Sequence, residues 1–449
     1  MTITRATASS SRPLSRARAL AGDSLARNSA MIASASLLTS VLGYAYWVAA
    51  ARLYPAPAVG AASAVISLMA LVSTVAILGG QSLLVQRLPH RGTREMWSAT
   101  LTATMLLGGG ASLVGALAVI AFVPESGTGS GFLGAPELVA LFVVAVVATT
   151  VSTLCDFAWV AERRSGVMLA TNAVFAVGKL GLLVALTTVT DGLGGLLLSW
   201  TATCLLATAV SLVLLRRLKG HRVVLRGTVG EMRVVLRSLA GHHLINLAVV
   251  APTLIMPVIA AARLSLEDSA YLYAAWRIGT FFVLVASATG SALFAEGAHD
   301  PQGYGSRSRP TLRLLALGFV AGMVVLIALR GPILGVFGPE YREHASTALL
   351  LLVLAAPAEA TIALGCAVLR VRGQLAAAGT LTGTVAVLGL GAAWLLMPTY
   401  GVTAGAAAAL AANTLGAVAI LLVLRAGRRR PALVPADVPF PSSHSEENP

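Results

Sequence analysis

The pentapeptide Ala49-Ala50-Ala51-Arg52-Leu53 occurs a second time as Ala260-Ala261-Ala262-Arg263-Leu264, 211 residues further along the chain. Each copy ends an apolar segment and is followed by a short polar turn and a second apolar segment. An alanine-rich match is weak by itself, but both copies stand at the end of the first apolar segment of their half. The offset therefore divides the chain of 449 residues into two similar halves. Internal repeats of this kind are typical of membrane transporters, which bind their substrate between the repeats.

The composition excludes an ordinary soluble protein. Hydrophobic residues make up 57% of the chain and charged residues only 11%, whereas soluble domains carry about 25% charged residues. The mean hydropathy is +0.83. Apolar runs of about 20 residues are long enough to cross the hydrocarbon core of a bilayer. We predict twelve such spans: Asn28–Ala51, Gly60–Val85, Ser98–Val123, Leu138–Val160, Gly166–Val189, Gly192–Leu215, Leu239–Ala262, Ser269–Ala295, Thr311–Leu329, Thr347–Leu369, Leu375–Met397 and Val402–Leu424.

The distribution of basic residues predicts the orientation of these spans. If the N-terminus is cytoplasmic, most of the 32 lysines and arginines fall in tails and loops on the cytoplasmic side. The outer turns hold only Arg52, Arg263, Arg330 and Arg342. This bias follows the positive-inside rule and places both termini in the cytoplasm. The formal net charge of +14 is therefore explained by topology, and we expect no nucleic-acid partner.

The basic connection between the sixth and seventh spans is the predicted boundary between two lobes. We predict a disordered basic cytoplasmic tail at 1–27, an N-lobe of six spans at 28–215, a cytoplasmic linker at 216–238, a C-lobe of six spans at 239–424 and a Pro-rich cytoplasmic tail at 425–449. Because each lobe has an even number of spans, a pseudo-twofold axis should run along the membrane normal. Residues 231–239 of the linker are either a short helix on the membrane surface or a solvated connection.

Ionisable side chains inside a bilayer are costly and are therefore candidates for function. Lys179 lies within the fifth span and Arg277 within the eighth, and Lys179 has no acidic residue at its depth. An unpaired buried cation requires a water-filled cavity or an anion. We therefore predict that Lys179 and Arg277, one from each lobe, face a central cavity and bind an anionic group such as a pyrophosphate. Arg52 and Arg263 either form the outer mouth of this cavity or are ordinary helix-end residues.

Two carboxylates within the spans have alternative interpretations. Glu359, near the middle of the tenth span, either pairs with Arg277 or couples transport to protons or sodium ions. Asp156 lies close to the inner end of the fourth span and is either interfacial or a second candidate for ion coupling.

The sequence contains no Walker A lysine loop and no GxSxG, HExxH or paired-cysteine motif. The three cysteines, Cys155, Cys204 and Cys366, all lie within predicted spans, where cysteine acts as a small hydrophobe. We therefore predict that the protein is not an enzyme and has neither a metal site nor a cofactor. Transport would have to use an ion gradient, the membrane potential or a downhill gradient of substrate.

The architecture from Asn28 to Leu424 resembles the polysaccharide and O-antigen flippases of the MOP superfamily. Arg52-Leu53-Tyr54-Pro55 through Gly60, with Leu78-Gly79-Gly80 and Leu84-Val85-Gln86-Arg87 downstream, is similar to the start of these proteins. The segment Ala270–Ile278 is similar to their eighth span, where a basic residue often follows aromatic and small residues.

This resemblance implies a V-shaped pair of lobes that open alternately to the two sides of the membrane. It also implies that a cationic cavity carries an undecaprenyl-diphosphate-linked oligosaccharide across the bacterial inner membrane for the synthesis of cell-surface polysaccharide. The expected partners are the lipid-linked glycan, membrane lipids and proteins of glycan synthesis.

Two other functions stay open at this point. One is a multidrug extruder of the same superfamily, similar to MATE transporters, although those typically rely on a carboxylate in the first span, which this chain lacks. The other is a membrane scaffold that holds a glycan-synthesis complex together without transporting anything.

Overall fold

The computed structural model describes residues 24–122, 134–190, 192–225, 228–237, 242–280 and 304–427. These residues form helices joined by turns and short connections. The helices are α1 (Ser24–Leu53), α2 (Ala56–Ala76), α3 (Gly80–Arg87), α4 (Arg94–Phe122), α5 (Pro136–Ala161), α6 (Ser165–Leu186), α7 (Leu193–Lys219), α8 (Thr228–Arg237), α9 (His242–Arg263), α10 (Leu266–Gly279), α11 (Tyr304–Gly335), α12 (Pro339–Val371), α13 (Leu375–Tyr400) and α14 (Val402–Gly427).

The predicted all-helical membrane fold is confirmed. Ten of the described helices are long and apolar enough to cross a bilayer, and α9 contributes a shorter apolar stretch, Leu247–Arg263. Helix α10 is described only as far as Gly279, so the second half of the predicted eighth span lies outside the described residues. The count of twelve spans therefore stays a prediction. Most of the two predicted tails also lies outside the described residues.

The predicted second span, Gly60–Val85, is not continuous. It forms α2 and α3, and at their junction Leu78 and Gly79 adopt left-handed backbone angles, with φ of 52° and 72°. Glycine takes this conformation without steric cost, whereas leucine rarely does. The prediction of one unbroken span was wrong because the apolar pattern continues across the junction and carries no sign of the turn.

Helix contacts repeat between the two halves of the chain, α1–α7 (the N-lobe) and α9–α14 (the C-lobe). In the N-lobe, α6 packs against α1 and α7, while α5 packs against α7, α4 and α2. In the C-lobe, α13 packs against α9 and α14, while α12 packs against α14, α11 and α10. The two sets coincide when each span is replaced by the one six further on. The internal repeat that the two pentapeptides predict is therefore present in the tertiary structure.

The linker helix α8 packs against α4 of the N-lobe. Glu231 of α8 forms an ion pair with Arg91, which precedes α4. Glu231 also accepts a hydrogen bond of 3.4 Å from the Thr100 hydroxyl on α4. The linker is therefore helical at Thr228–Arg237 and lies against the N-lobe, whereas its position on the membrane surface stays a prediction.

Charged residues distinguish the two ends of the bundle. The end at which α1 and α9 finish and α10 and α12 begin carries Glu267, Asp268 and Glu340 in the first turns of its helices, and we call it the acidic end. The opposite end carries a group of arginines and lysines that includes Arg91, Arg163 and Lys219, and we call it the basic end.

We call the half of the bundle nearer the acidic end the acidic half, and the other the basic half. In the described part of the chain, the lobes share a core only in the acidic half. The largest buried cluster contains residues of both lobes and follows the acidic half, with Tyr46, Trp47 and Val59 from one lobe and Tyr273 and Trp276 from the other. In the basic half, the described residues form two separate clusters, one drawn entirely from the N-lobe and one entirely from the C-lobe. The described parts of the lobes are therefore joined at the acidic end and have independent cores at the basic end.

Candidate anion site between the lobes

Lys179 of α6 is enclosed by aromatic rings inside the N-lobe. Its Nζ lies 4.1 Å from the ring centroid of Trp200, 4.7 Å from that of Phe175 and 5.1 Å from that of Tyr46. The residue is only 4% exposed. Each ring presents electron density that attracts a cation, with a strength of up to about 2 kcal/mol once water is removed. We call these three rings the aromatic cage.

The aromatic cage is held in place by its own contacts. The Tyr46 hydroxyl donates a hydrogen bond of 3.1 Å to the carbonyl oxygen of Leu196 and lies 3.2 Å from the Ser199 hydroxyl. The Trp200 ring packs edge to face with Tyr46, at 5.5 Å, and with Phe175, at 5.3 Å. The rings are therefore fixed by contacts that do not involve Lys179, and they surround its amino group.

Arg277 of the C-lobe approaches α1, the helix of the N-lobe that also carries Tyr46 of the aromatic cage. Its Nη2 lies 3.8 Å from the position that a Cβ on Gly43 of α1 would occupy. Gly43 and Tyr46 are three residues apart on α1 and therefore lie on one face of that helix. Lys179 and Arg277 therefore both lie beside α1, and in the described part of the chain neither has a carboxylate within 4 Å.

Neither predicted carboxylate forms an ion pair with Lys179 or Arg277 in the described part of the chain. Glu359 forms no ion pair with Arg277, since the ion pairs of the described residues involve only Arg91, Glu231, Lys219 and Glu162. Asp156 on α5 accepts a hydrogen bond of 3.2 Å from the Asn172 side chain on α6. The proposed pairing of Glu359 with Arg277 is therefore absent among these residues, and ion coupling by either carboxylate stays a prediction.

Arg52 and Arg263 bind backbone carbonyl groups at the acidic end. Arg52 donates to the carbonyl oxygens of Val336, at 2.7 Å, and Gly335, at 2.6 Å, where α11 of the other lobe ends. Arg263 donates to the carbonyl oxygen of Trp394 at 3.0 Å, and its guanidinium stacks on that indole ring. Both guanidinium groups therefore make helix-end contacts in this structure, and a role at the mouth of the cavity stays a prediction.

The aromatic residues of the site were missed by the sequence reasoning. Tyr46, Phe175 and Trp200 come from three helices, and nothing in their spacing along the chain connects them with Lys179. One signal was available: α1 carries Tyr44, Tyr46 and Trp47 close together, an unusual density for a chain with 6% aromatic residues. Trp47 packs edge to face against Tyr273 of the C-lobe, with the ring centroids 4.5 Å apart.

No family model matches the sequence, and no curated protein matches it. Solved structures, in contrast, share its fold. The lipid II flippase MurJ in an inward closed conformation superposes with a TM-score of 0.67 at 15% identity, over 88% of this chain and 87% of that one. An inward-facing multidrug resistance MATE family transporter of the MOP superfamily superposes with a TM-score of 0.62 at 17% identity, over 87% of this chain and 94% of that one.

A third similar structure is a MOP superfamily transporter from Pyrococcus furiosus, described as having a binding pocket of reverse polarity. It has a TM-score of 0.59 at 16% identity and covers 91% of this chain and 96% of its own. At these identities the likeness concerns the fold alone. The chain therefore has the fold that the MurJ lipid II flippase and the MATE transporters share within the MOP superfamily.

Proposed function

We propose that this protein is a flippase of the polysaccharide and O-antigen type, which moves a polyprenyl-diphosphate-linked oligosaccharide across the bacterial inner membrane. The observation that carries the proposal is that Lys179 and Arg277, cations of different lobes, both lie beside α1, with no carboxylate within 4 Å of either in the described part of the chain. The MOP fold is compatible with this function, because one protein that shares it is a lipid II flippase.

An anionic headgroup is the ligand that such a pair would bind best. Charges in the bilayer interior cost about 2.5 kcal/mol or more each, and two like charges at one place add their mutual repulsion. A diphosphate would relieve both, since its oxygens accept charge-assisted hydrogen bonds from an ammonium and from a guanidinium. The aromatic cage would hold the Lys179 side chain in place until the headgroup arrives.

The distribution of the core supports entry from one side of the membrane. The lobes share a core in the acidic half and have separate cores in the basic half. By the positive-inside rule, the basic end would face the cytoplasm, with both termini on that side. A headgroup would then enter from the cytoplasmic leaflet while its lipid tail stays in the bilayer. Closure of the basic half and opening of the acidic half would release the headgroup on the other side.

The test is to replace the two cations in a strain whose surface polysaccharide depends on this gene. Losing a charge-assisted contact costs about 1.5–3 kcal/mol, so Lys179→Ala and Arg277→Ala should each reduce surface polysaccharide about tenfold or more. The lipid-linked intermediate should accumulate on the cytoplasmic leaflet. The control is Arg425→Ala, which removes an exposed cation at the end of α14 and should have no effect.

A double variant separates the proposal from a scaffold role. If Lys179→Ala/Arg277→Ala accumulates in the membrane at the wild-type level and still supports normal surface polysaccharide, the flippase proposal fails and a scaffold is favoured. If the strain shows a drug-sensitivity phenotype without a glycan defect, a MATE-like extruder is favoured instead. Helix α1 contains neither aspartate nor glutamate, which argues against an extruder that depends on a carboxylate there.

A further inference from the structure

A second cluster of cations surrounds a cavity at the basic end of the N-lobe. The cavity has a volume of about 780 Å³ and is formed where α3, α4, α5 and α7 reach this end. Its lining includes Arg91, Arg94, Arg163 and Lys219, with Glu162 as the only carboxylate. A cavity of 300–1,000 Å³ is the usual size for a small ligand or headgroup.

Two of the four cations are already paired, and two are not. Lys219 forms an ion pair with Glu162, which also accepts a hydrogen bond of 2.7 Å from the Trp97 indole nitrogen. Arg91 pairs with Glu231 of the linker helix α8. Arg94 and Arg163 have no carboxylate within 4 Å among the residues that the structure describes. Arg91 and Lys219 are thus held in ion pairs that line the cavity. The guanidinium groups of Arg94 and Arg163 are available to bind an anion.

The backbone at Arg163 allows a variant that removes its side chain and keeps the turn. Arg163 follows α5 with a φ of 54°, in the left-handed region that residues with a side chain rarely adopt. Glycine would take this conformation without cost. The Arg164 amide closes the end of α5 by donating a hydrogen bond of 2.9 Å to the carbonyl oxygen of Trp159. A left-handed residue is common at this point of a helix end, so Arg163→Gly should keep the turn.

The apolar part of the lining identifies the kind of anion. Val85, Leu88 and Val160 line the same cavity as the arginines, and Val85 is exposed on the surface of α3. Val160 stands at the end of α5, a helix long enough to span a membrane, and Val85 and Leu88 stand at the end of the short helix α3 beside it. A bilayer changes from hydrocarbon to headgroups at the ends of its spanning helices. A ligand that carries both a phosphate and an acyl or prenyl chain fits this lining better than free phosphate does.

We propose that this cavity binds the phosphate headgroup of a membrane lipid, with Arg94 and Arg163 as its anion-binding residues. It is separate from the anion site between the lobes: Lys179 is 14 residues beyond Ser165, the first residue of α6, and is therefore about 21 Å further along that helix at 1.5 Å per residue. The proposal does not depend on the transported substrate.

The experiment measures the thermal stability of the purified full-length protein during titration with lipids in detergent. The probes are phosphatidylglycerol, undecaprenyl phosphate, phosphatidylcholine and sodium phosphate. We expect phosphatidylglycerol, undecaprenyl phosphate or both to raise the unfolding temperature in a saturable manner. Phosphatidylcholine, whose headgroup has no net charge, and sodium phosphate should have little effect.

Three variants assign the effect to the cavity. Arg94→Ala and Arg163→Gly should weaken the apparent affinity for the active lipid about tenfold, since each removes a charge-assisted contact. Arg163→Gly is the sharper test, because it relieves the left-handed backbone and should leave the protein without lipid as stable as the wild type, or more stable. The control is Arg164→Ala, an exposed neighbour outside the cavity lining, which should bind the lipid as the wild type does.

Several results would overturn the proposal. Wild-type affinity in both Arg94→Ala and Arg163→Gly would show that the cavity is not the binding site. An equal loss of lipid affinity in Arg164→Ala would show that lipid binding depends only on the general positive charge of the surface. Equal stabilisation by sodium phosphate would identify a site for free phosphate in place of a lipid.

Discussion

The seam, by which we mean the contact surface between the two lobes, is packed differently in its acidic half and in its basic half. In the acidic half the lobes share one buried cluster, which contains aromatic contacts from lobe to lobe such as Trp47 with Tyr273 and Tyr44 with Phe337. In the basic half, each lobe has its own cluster in the described part of the chain. A packed core resists deformation, so rigid lobes can close at one end and stay apart at the other.

The closest contact in the acidic half depends on the absence of a side chain. A Cβ on Gly60 of α2 would lie 1.8 Å from the carbonyl oxygen of Leu266 and 3.1 Å from the amide nitrogen of Ala270, at the start of α10. Both obstacles are backbone atoms of a helix, so neither can move aside alone. Gly60 therefore sets how closely the two lobes can approach.

Gly60→Ala should have the largest effect on how tightly the acidic half is closed relative to the basic half. The added methyl group cannot fit beside Leu266, and overpacking of this kind costs about 1–3 kcal/mol. The acidic half should open more often as a result. We would measure the rate at which a membrane-impermeant maleimide labels a cysteine placed at Ser269, which is fully buried in the seam, in a chain whose native cysteines are replaced by alanine. The rate should rise about tenfold for each 1.4 kcal/mol of destabilisation.

The matched control for this change is Gly110→Ala. Gly110 lies on the exposed face of α4, where a Cβ would meet nothing within 4 Å. Alanine is also the better helix former, so this variant should be at least as stable as the parent and should label at the parental rate. Equal labelling rates in the Gly60→Ala and Gly110→Ala variants would contradict the assignment of Gly60 to the closed seam.

A smaller effect is expected from Arg52→Ala, which removes the two hydrogen bonds to Gly335 and Val336 across the seam. These contacts are exposed, and a hydrogen bond contributes about 1 kcal/mol net, so the labelling rate at Ser269 should rise severalfold. Arg263→Ala is the equivalent change in the second repeat. Arg263 contacts Trp394 within its own lobe, so its loss should leave the rate unchanged, and an equal increase in both variants would refute a special role for Arg52.

The smallest effect concerns the basic half and depends on pH. His221 follows α7, packs edge to face on Trp97 at 5.9 Å and is 8% exposed. Burial lowers the pKa of His221, because it disfavours the charged ring. The folded state therefore prefers neutral His221, and its stability should fall as the pH decreases through the ordinary histidine pKa of about 6.5.

We would compare the unfolding temperature at pH 7.5 and at pH 5.5. The drop between the two should be smaller in His221→Phe than in the wild type, because the phenylalanine ring has no charge to acquire. His90→Phe is the control, since His90 is exposed and should keep the wild-type drop. An unchanged drop in His221→Phe would exclude this histidine as a source of pH dependence. Labelling at Ser269 should be the same in all three proteins, since the acidic half is not involved.

The helices and the repeat could be predicted because their signals are local or periodic. A run of about 20 apolar residues is long enough to span a bilayer whatever its neighbours are, and the two pentapeptides placed equivalent helix ends six spans apart. The break at Leu78 and Gly79 was missed because the prediction relied on apolar length. It lies inside an apolar run, and apolar length alone does not report backbone conformation.

Lys179 and Arg277 could be chosen from the sequence because a charge within an apolar segment is expensive wherever it points. The residues that contact these cations could not be predicted from the sequence. The aromatic cage joins α1, α6 and α7, and its residues are as much as 154 positions apart, from Tyr46 to Trp200. Glu359 had a plausible partner in Arg277 by depth along the helices, yet no ion pair forms between them, because depth does not specify the direction in which a side chain points.

Apolar length, charge asymmetry and repetition thus established a helical membrane protein with two equivalent halves and isolated cations in its interior. The tertiary structure alone decided that these halves meet at the acidic end, that Gly60 permits this contact and that aromatic rings enclose Lys179. The physical reason is one of range. Hydrophobicity and charge act residue by residue along the chain, whereas steric fit and cation–ring contact exist only between atoms that folding brings together.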